Sequence, residues 1–171
     1  MPRIESSVVV PVSPEIAFAV SQTTGEIRYR WDPFVASQRY LHGATQAAKG
    51  VQTETLSKHR LKMVSEYTSF RPPNQVGMKM VTGPPFFASF GGGWSFREAE
   101  SHTAEQPATV ATWRYTFSVK PPILTKIADP IGIKLLGFDI DKRIAGYAKG
   151  CVDPVVVAAA TELAGRWGEG S

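Results

Sequence analysis

Three proline pairs, Pro72-Pro73, Pro84-Pro85 and Pro121-Pro122, constrain this 171-residue chain more than any other feature. Proline has no amide hydrogen to give a sheet ladder, so it marks the ends of strands and not their middles. Each pair closes a stretch of β-type sequence. An earlier break, Ser13-Pro14-Glu15, follows one short strand. The order is therefore strand, short helices, a run of strands, then a terminal helix. A curved antiparallel sheet closed by one late helix tends to enclose a pocket. The chain thus reads as α+β, a single domain over 1–171, and as a container for something apolar.

Local patterns place the elements. Ile4 to Val12 alternates as strand one. Ser13 suits an N-cap, Pro14 the first helical position and Glu15 the positive helix end. Ile16, Ala19 and Val20 give that helix an apolar face, and Gly25 is predicted to stop it. Ile27 to Asp32 forms a second short helix ended by Pro33. Strands are then predicted over Phe34–Leu41, Val51–Ser57, Leu61–Phe70, Gln75–Thr82, Phe86–Glu100 and Thr109–Val119. The last alternates most cleanly: Ala111, Trp113, Tyr115, Phe117 and Val119 share a face opposite Thr112, Arg114, Thr116 and Ser118. Gly91-Gly92-Gly93 predicts a bulge or sharp bend.

After Pro121-Pro122 the pattern turns helical. Ile123 to Phe138 is apolar with single charges, and Asp129-Pro130 resembles a cap and first helical residue. Ile140, Ile144, Tyr147, Ala148, Cys151, Val152, Val155 and Val156 then recur at helical spacing. Pro154 falls inside this set. An interior helical proline costs about 3 kcal/mol, which predicts a kink or a restart capped by Asp153. Gly146, Gly150, Pro154 and Ala158 form a stripe of small residues and proline. It serves either close helix–sheet contact or space for a ligand.

Composition removes several function classes. Cys151 is the sole cysteine, so an intramolecular disulfide and a cysteine zinc cluster are excluded. His42, His59 and His102 fall in predicted loops or turns without metal-ligand spacing, and neither a metal nor a cofactor is expected. No G-x-S-x-G elbow appears, and no catalytic residue is assigned. Residues 1–15 lack the pattern of a signal peptide, and no apolar run reaches the roughly 18 residues of a membrane span. A cytoplasmic protein is the expectation. The formal charge is +4, and residues 28–79 hold nine Lys/Arg against three Asp/Glu. That excess reads first as solvated strand faces. DNA is not an expected partner. RNA or the ribosome is a third alternative, weakened because no run of five basic residues exists.

The candidate site is the aromatic face of the last strand. Trp113, Tyr115 and Phe117 would lie beside Trp94 and Phe96. Large aromatics at period two most often fill a core, but they also wall apolar pockets. Met78 and Met80 supply adaptable thioethers, and Tyr67, Tyr147 and Cys151 complete the predicted ligand-binding set. Arg28, Arg30 and Arg114 are alternative partners for a ligand carboxylate, although such arginines are more often surface residues.

Several segments in order resemble the START-like superfamily, also called Bet v 1-like, SRPBCC or polyketide cyclase/dehydrase-like. They are residues 6–15, Trp31-Asp32-Pro33-Phe34-Val35, Gly50-Val51, Arg71 to Pro85, and Thr109-Val110-Ala111-Thr112-Trp113, with the C-terminal helix after them. The resemblance implies a helix-grip fold. In it a seven-stranded antiparallel sheet wraps a long C-terminal helix, two short helices follow strand one, and a cavity lies between. It also implies binding of a lipid, polyketide or other hydrophobic compound. Fold alone does not choose among family functions. Carriage of a small hydrophobic ligand leads. A cyclase or aromatase enzyme is the alternative, and it requires an ionisable group facing inward. The alternation instead turns Lys62, Lys79, Arg97 and Arg114 outward.

Overall fold

The computed structural model describes residues 3–120 and 139–168. Seven strands form one antiparallel sheet in the order β1-β7-β6-β5-β4-β3-β2. They are β1 (Arg3–Val10), β2 (Val35–Tyr40), β3 (Gln52–Ser57), β4 (Lys62–Arg71), β5 (Gln75–Thr82), β6 (Phe87–Glu98) and β7 (Thr109–Val119). The first strand returns to pair with the last, Val10 opposite Thr109 and Arg3 opposite Thr116. Among the described residues four helices accompany the sheet: α1 (Pro14–Gln22), α2 (Gly25–Trp31), α3 (Ile140–Gly150) and α4 (Pro154–Gly168). The predicted segment Ile123–Phe138, with its Asp129-Pro130 start, lies outside the described residues, as do Pro121-Pro122 and the last three residues.

β7 shows why alternation sets the sheet's two faces. Thr109, Ala111, Trp113, Tyr115 and Phe117 are buried, while the residues between them are not. The outer face is tied by polar cross-strand pairs: Ser7 with Thr112 at 2.7 Å, Arg114 with Glu5 at 2.6 Å and Ser89 with Ser118 at 2.6 Å. The basic excess of the middle strands is partly paired there too. Glu54 holds Arg39 at 2.9 Å and Lys62 at 2.6 Å, and Glu66 holds Lys79 at 3.4 Å. Such exposed pairs contribute little stability.

Ser13 caps α1 by accepting from the Ile16 amide, and Pro14 opens the helix. α1 already ends at Gln22. Gly25, at φ +60°, opens α2 instead of terminating α1. Phe18 of α1 is fully buried and meets Phe70, Phe96 and Trp167 edge-on at 5.3–5.6 Å. This aromatic cluster fastens α1 and α4 to one another and to the sheet. Fully burying one such ring contributes about 1.5–3 kcal/mol.

Two further predictions need correction. Gly91, Gly92 and Gly93 carry no bulge: they pair in unbroken register with Lys79, Met78 and Gly77 on one side and Thr116, Tyr115 and Arg114 on the other. Close approach is what requires glycine there. A Cβ on Gly92 would come 2.7 Å from the Arg114 carbonyl oxygen and 2.9 Å from the Tyr115 Cβ. The irregularity of β6 falls between Phe87 and Ser89.

The C-terminal helical stretch runs as two helices, in the manner the Asp153-Pro154 pair anticipates. Asp153 restarts the chain: its carboxylate accepts from the Val155 amide at 2.9 Å and its carbonyl from the Val157 amide at 2.9 Å. The interruption rotates the helical phase. Val152 and Val155, expected on the apolar face, are 60% and 48% exposed, whereas Ile144, Tyr147, Cys151, Val156 and Ala160 are buried. Within the small-residue stripe, Pro154 and Ala158 are exposed, and the two glycines face α2. Gly146 lies against the Trp31 carbonyl oxygen, and a Cβ on Gly150 would come 2.9 Å from the Trp31 Cβ. These glycines let α3 approach the backbone of α2.

Candidate functional site

The inner face of the sheet does not meet the helices everywhere. Between β2–β7 and the helices α1, α2 and α3 lies a partly open cavity of about 140 Å³. Residues spaced by two supply its sheet wall: Met63, Ser65 and Tyr67 from β4, Val76, Met78 and Met80 from β5. β6 adds Gly92 and Trp94, and β7 adds Trp113 and Tyr115. Gly92 sits between Met78 and Tyr115 in the ladder, so the position where a side chain would project into the cavity has none. The helices contribute Gln22, Thr23, Arg28 and Arg143.

Of the ten residues expected to bind a ligand, Tyr67, Met78, Met80, Trp94, Trp113 and Tyr115 come together on this lining. Phe96, Phe117, Tyr147 and Cys151 lie outside it. Phe96 packs on Phe18. Phe117 packs toward Phe87. Tyr147 lies 4.5 Å from Trp94, ring to ring, and its hydroxyl donates to the Ala17 carbonyl at 2.6 Å. Cys151 is buried behind it, and burial pushes its thiol up to about 12. The physical reason is the break in the C-terminal helix. α3 is held tight against α2 and β1, so its middle belongs to the core and only Arg143 of that helix reaches the cavity.

The polar groups of the lining are ordered. The Tyr67 hydroxyl donates to Gln22 Oε1 at 3.2 Å, Gln22 Nε2 donates to Ser21 Oγ at 2.8 Å, and Ser21 Oγ donates to the Phe18 carbonyl at 2.6 Å. Burial raises the Tyr67 hydroxyl well above the ordinary tyrosine range. Burial, then the charge of Asp139, pushes Tyr115 up to about 12. Both phenols are therefore neutral hydrogen-bond donors near pH 7.

The least expected feature is a buried charge cluster at one edge of the cavity. Asp32, fully buried, accepts on one oxygen from Arg28 Nε at 2.8 Å, Arg28 Nη2 at 2.8 Å and Arg143 Nη2 at 2.9 Å. Its other oxygen accepts from the Phe34 amide at 2.9 Å. Burial alone would raise the Asp32 pKa. The adjoining Arg143 and Arg28 charges and the Phe34 amide outweigh it and hold the carboxyl below its usual range. Arg28 also donates from Nη1 to the Ser21 carbonyl at 2.5 Å and lies 4.4 Å above the Trp31 ring. Arg143 lies 4.3 Å above the Trp113 ring, and its Nε is buried without an acceptor among the described residues. Leaving such a donor unpaired costs about 1–3 kcal/mol, more for a charged group.

The Arg28–Asp32 pair was not among the sequence expectations, although its i, i+4 spacing is the signal that could have found it. Arg143, 111 residues beyond Asp32, carried no such mark. The other arginines considered point elsewhere: Arg30 pairs with Asp153 at 2.9 Å and Arg114 with Glu5. The outward direction expected of Lys62, Lys79 and Arg114 agrees with their surface pairs, and the inward ionisable groups come from the helices.

Among the described residues no helix is long and apolar enough to cross a membrane, and no group of three or more His, Cys, Asp or Glu could hold a metal ion. None of the curated proteins matches this chain. Solved structures with the same fold include a START superfamily protein from Mycobacterium smegmatis. It has a TM-score of 0.65 and 14% identity, with 86% of this chain and 94% of that one covered. A protein from Thermus thermophilus superimposes with a TM-score of 0.68 at 15% identity, covering 93% and 99% of the two chains. The protein XoxI from Bacillus cereus gives 0.66 at 13% identity, covering 90% and 97%. These likenesses establish the helix-grip fold. The sequence profile described as polyketide cyclase / dehydrase and lipid transport matches residues 1–149, and the chain belongs to that family, a hydrophobic-ligand-binding fold.

Proposed function

We propose that this protein binds and carries a small, mostly apolar molecule in the cavity between β2–β7 and the helices α1–α3. The observation that carries this proposal is the free space itself, about 140 Å³ walled by Met78, Met80, Trp94, Trp113 and Tyr115. Apolar cavities on the order of 150 Å³ hold a benzene-sized guest. A ring-sized aromatic compound, or one end of a lipid or polyketide, fits the description. Burial of its apolar surface would supply most of the affinity, at about 25 cal/mol per Å² before ordering costs.

A cyclase or aromatase activity is the second proposal, favoured by the inward Arg143. Arg143, with a buried Nε that has no acceptor among the described residues, is a donor suited to holding an oxyanion. Donors of this kind serve binding equally well, so carriage takes precedence.

Native mass spectrometry of the protein from its own host tests the carrier proposal. A retained apolar compound is expected, and Met78→Phe, which fills the cavity from β5, is expected to expel it while far-UV circular dichroism stays unchanged. Retention of the same compound by folded Met78→Phe would place its site elsewhere.

A further inference from the structure

We infer that the ligand of this cavity carries one acidic group, a carboxylate, held by Arg143. This rests on the cavity being the ligand site, and it adds the chemical class of the guest. Arg28, Asp32 and Arg143 sum to one positive charge at the edge of a mostly apolar space. Asp32 is the carboxylate that pairs with Arg143, while Asp139 and Asp141 act on Tyr115. The Lys79 ammonium is paired with Glu66. Asp139, near Tyr115, accepts on Oδ1 from the amides of Asp141 and Lys142 at the start of α3. Tyr67 and Tyr115 are neutral.

The division of labour within the cluster follows from its hydrogen bonds. Arg28 has Nε and Nη2 on Asp32 and Nη1 on the Ser21 carbonyl, so each of its three nitrogens is already engaged in the protein. Arg143 gives only Nη2 to Asp32, keeps a buried Nε without an acceptor, and lines the cavity above Trp113. Asp32 already accepts four N–H groups, three on one oxygen and the Phe34 amide on the other. A small rotation of the guanidinium would present its unpaired edge to an oxygen entering from the cavity. A guest with one carboxylate and one apolar ring matches both the excess charge and the Trp113 and Trp94 wall. Asp32 then acts as a positioning residue, fixing the arginine that touches the ligand.

The test is a titration of the protein with phenylacetate and with phenylacetamide at pH 7, followed by amide chemical shifts. The two probes share ring and size and differ in charge. Phenylacetate is expected to bind at least about tenfold more tightly, because charge-assisted hydrogen bonds are the stronger kind. In Arg143→Gln the preference should collapse while phenylacetamide affinity stays within about twofold, and Arg143→Lys should keep part of the preference. Equal affinities in the wild type, or a preference that survives Arg143→Gln, overturn the acidic-ligand inference and leave the carrier proposal standing. Binding of neither probe overturns both. The wild-type comparison decides even where a variant fails to fold.

Discussion

Gly146→Ala and Gly165→Ala are the same substitution in two C-terminal helices, and the structure predicts opposite signs for them. Replacing an interior helical glycine by alanine gains about 0.5–1 kcal/mol in helix propensity. Gly165 has nothing within 4 Å of an added Cβ, so it should realise most of that gain. At Gly146 the added Cβ runs into the Trp31 carbonyl oxygen, with Pro33 Cδ at 3.1 Å. Neither can rotate away, because one is backbone and the other is part of a ring. Overpacking of this kind costs about 1–3 kcal/mol, and the upper half applies when the obstacle is rigid. Subtracting the propensity gain leaves a net loss of about 1–2.5 kcal/mol for Gly146→Ala. A chain of this size loses about 2–4 °C in Tm per kcal/mol, so the shift is about −2 to −10 °C, against a small rise for Gly165→Ala. Urea denaturation and calorimetry on both variants read the two signs. Gly146 follows Arg143 by three residues, so displacing α3 from α2 should also loosen the Arg143–Asp32 contact and weaken phenylacetate binding more than phenylacetamide binding. An equal rise in Tm for both variants would refute the close approach of α3 to α2.

Two other predictions concern buried groups. Asp32→Asn leaves two buried arginines without their counter-charge and should cost about 3–5 kcal/mol in urea denaturation. The folded Asp32 pKa is depressed, so the stability it contributes is fully present above the unfolded value of about 3.9 and is lost as pH falls through the folded value. The wild-type urea midpoint should therefore fall below about pH 4, and Asp32→Asn should lose that part of the slope; an identical acid slope in both would mean the carboxyl is uncharged in the folded state. Cys151 is 1% exposed with its thiol pushed up to about 12, so a thiol reagent at pH 7.5 should label it only as fast as the protein opens. Labelling at the rate of a free thiol in folded protein would contradict its burial.

Period-two and period-3.6 patterns act through neighbours in the chain, and the sequence alone determined what depends on them. Gln75–Thr82 and Thr109–Val119 coincide with β5 and β7 because strict alternation leaves one face apolar and one polar. The same alternation put Tyr67, Met78, Met80, Trp94, Trp113 and Tyr115 on the inner face. The Asp153-Pro154 restart was legible from the missing amide of proline. The tertiary structure decided which inner-face residues border empty space and which border other side chains. Phe96 and Phe117 have the same pattern as Trp94 and Trp113, but Phe18 and Phe87 fill the space beside them. Tyr147 and Cys151 left the cavity because Gly146 and Gly150 let α3 close on Trp31, a contact between segments more than a hundred residues apart. Arg143 is the clearest case. A lone arginine on a helix reads as surface charge, and only the meeting of α2 and α3 around Asp32 makes it a buried cation with a donor to spare.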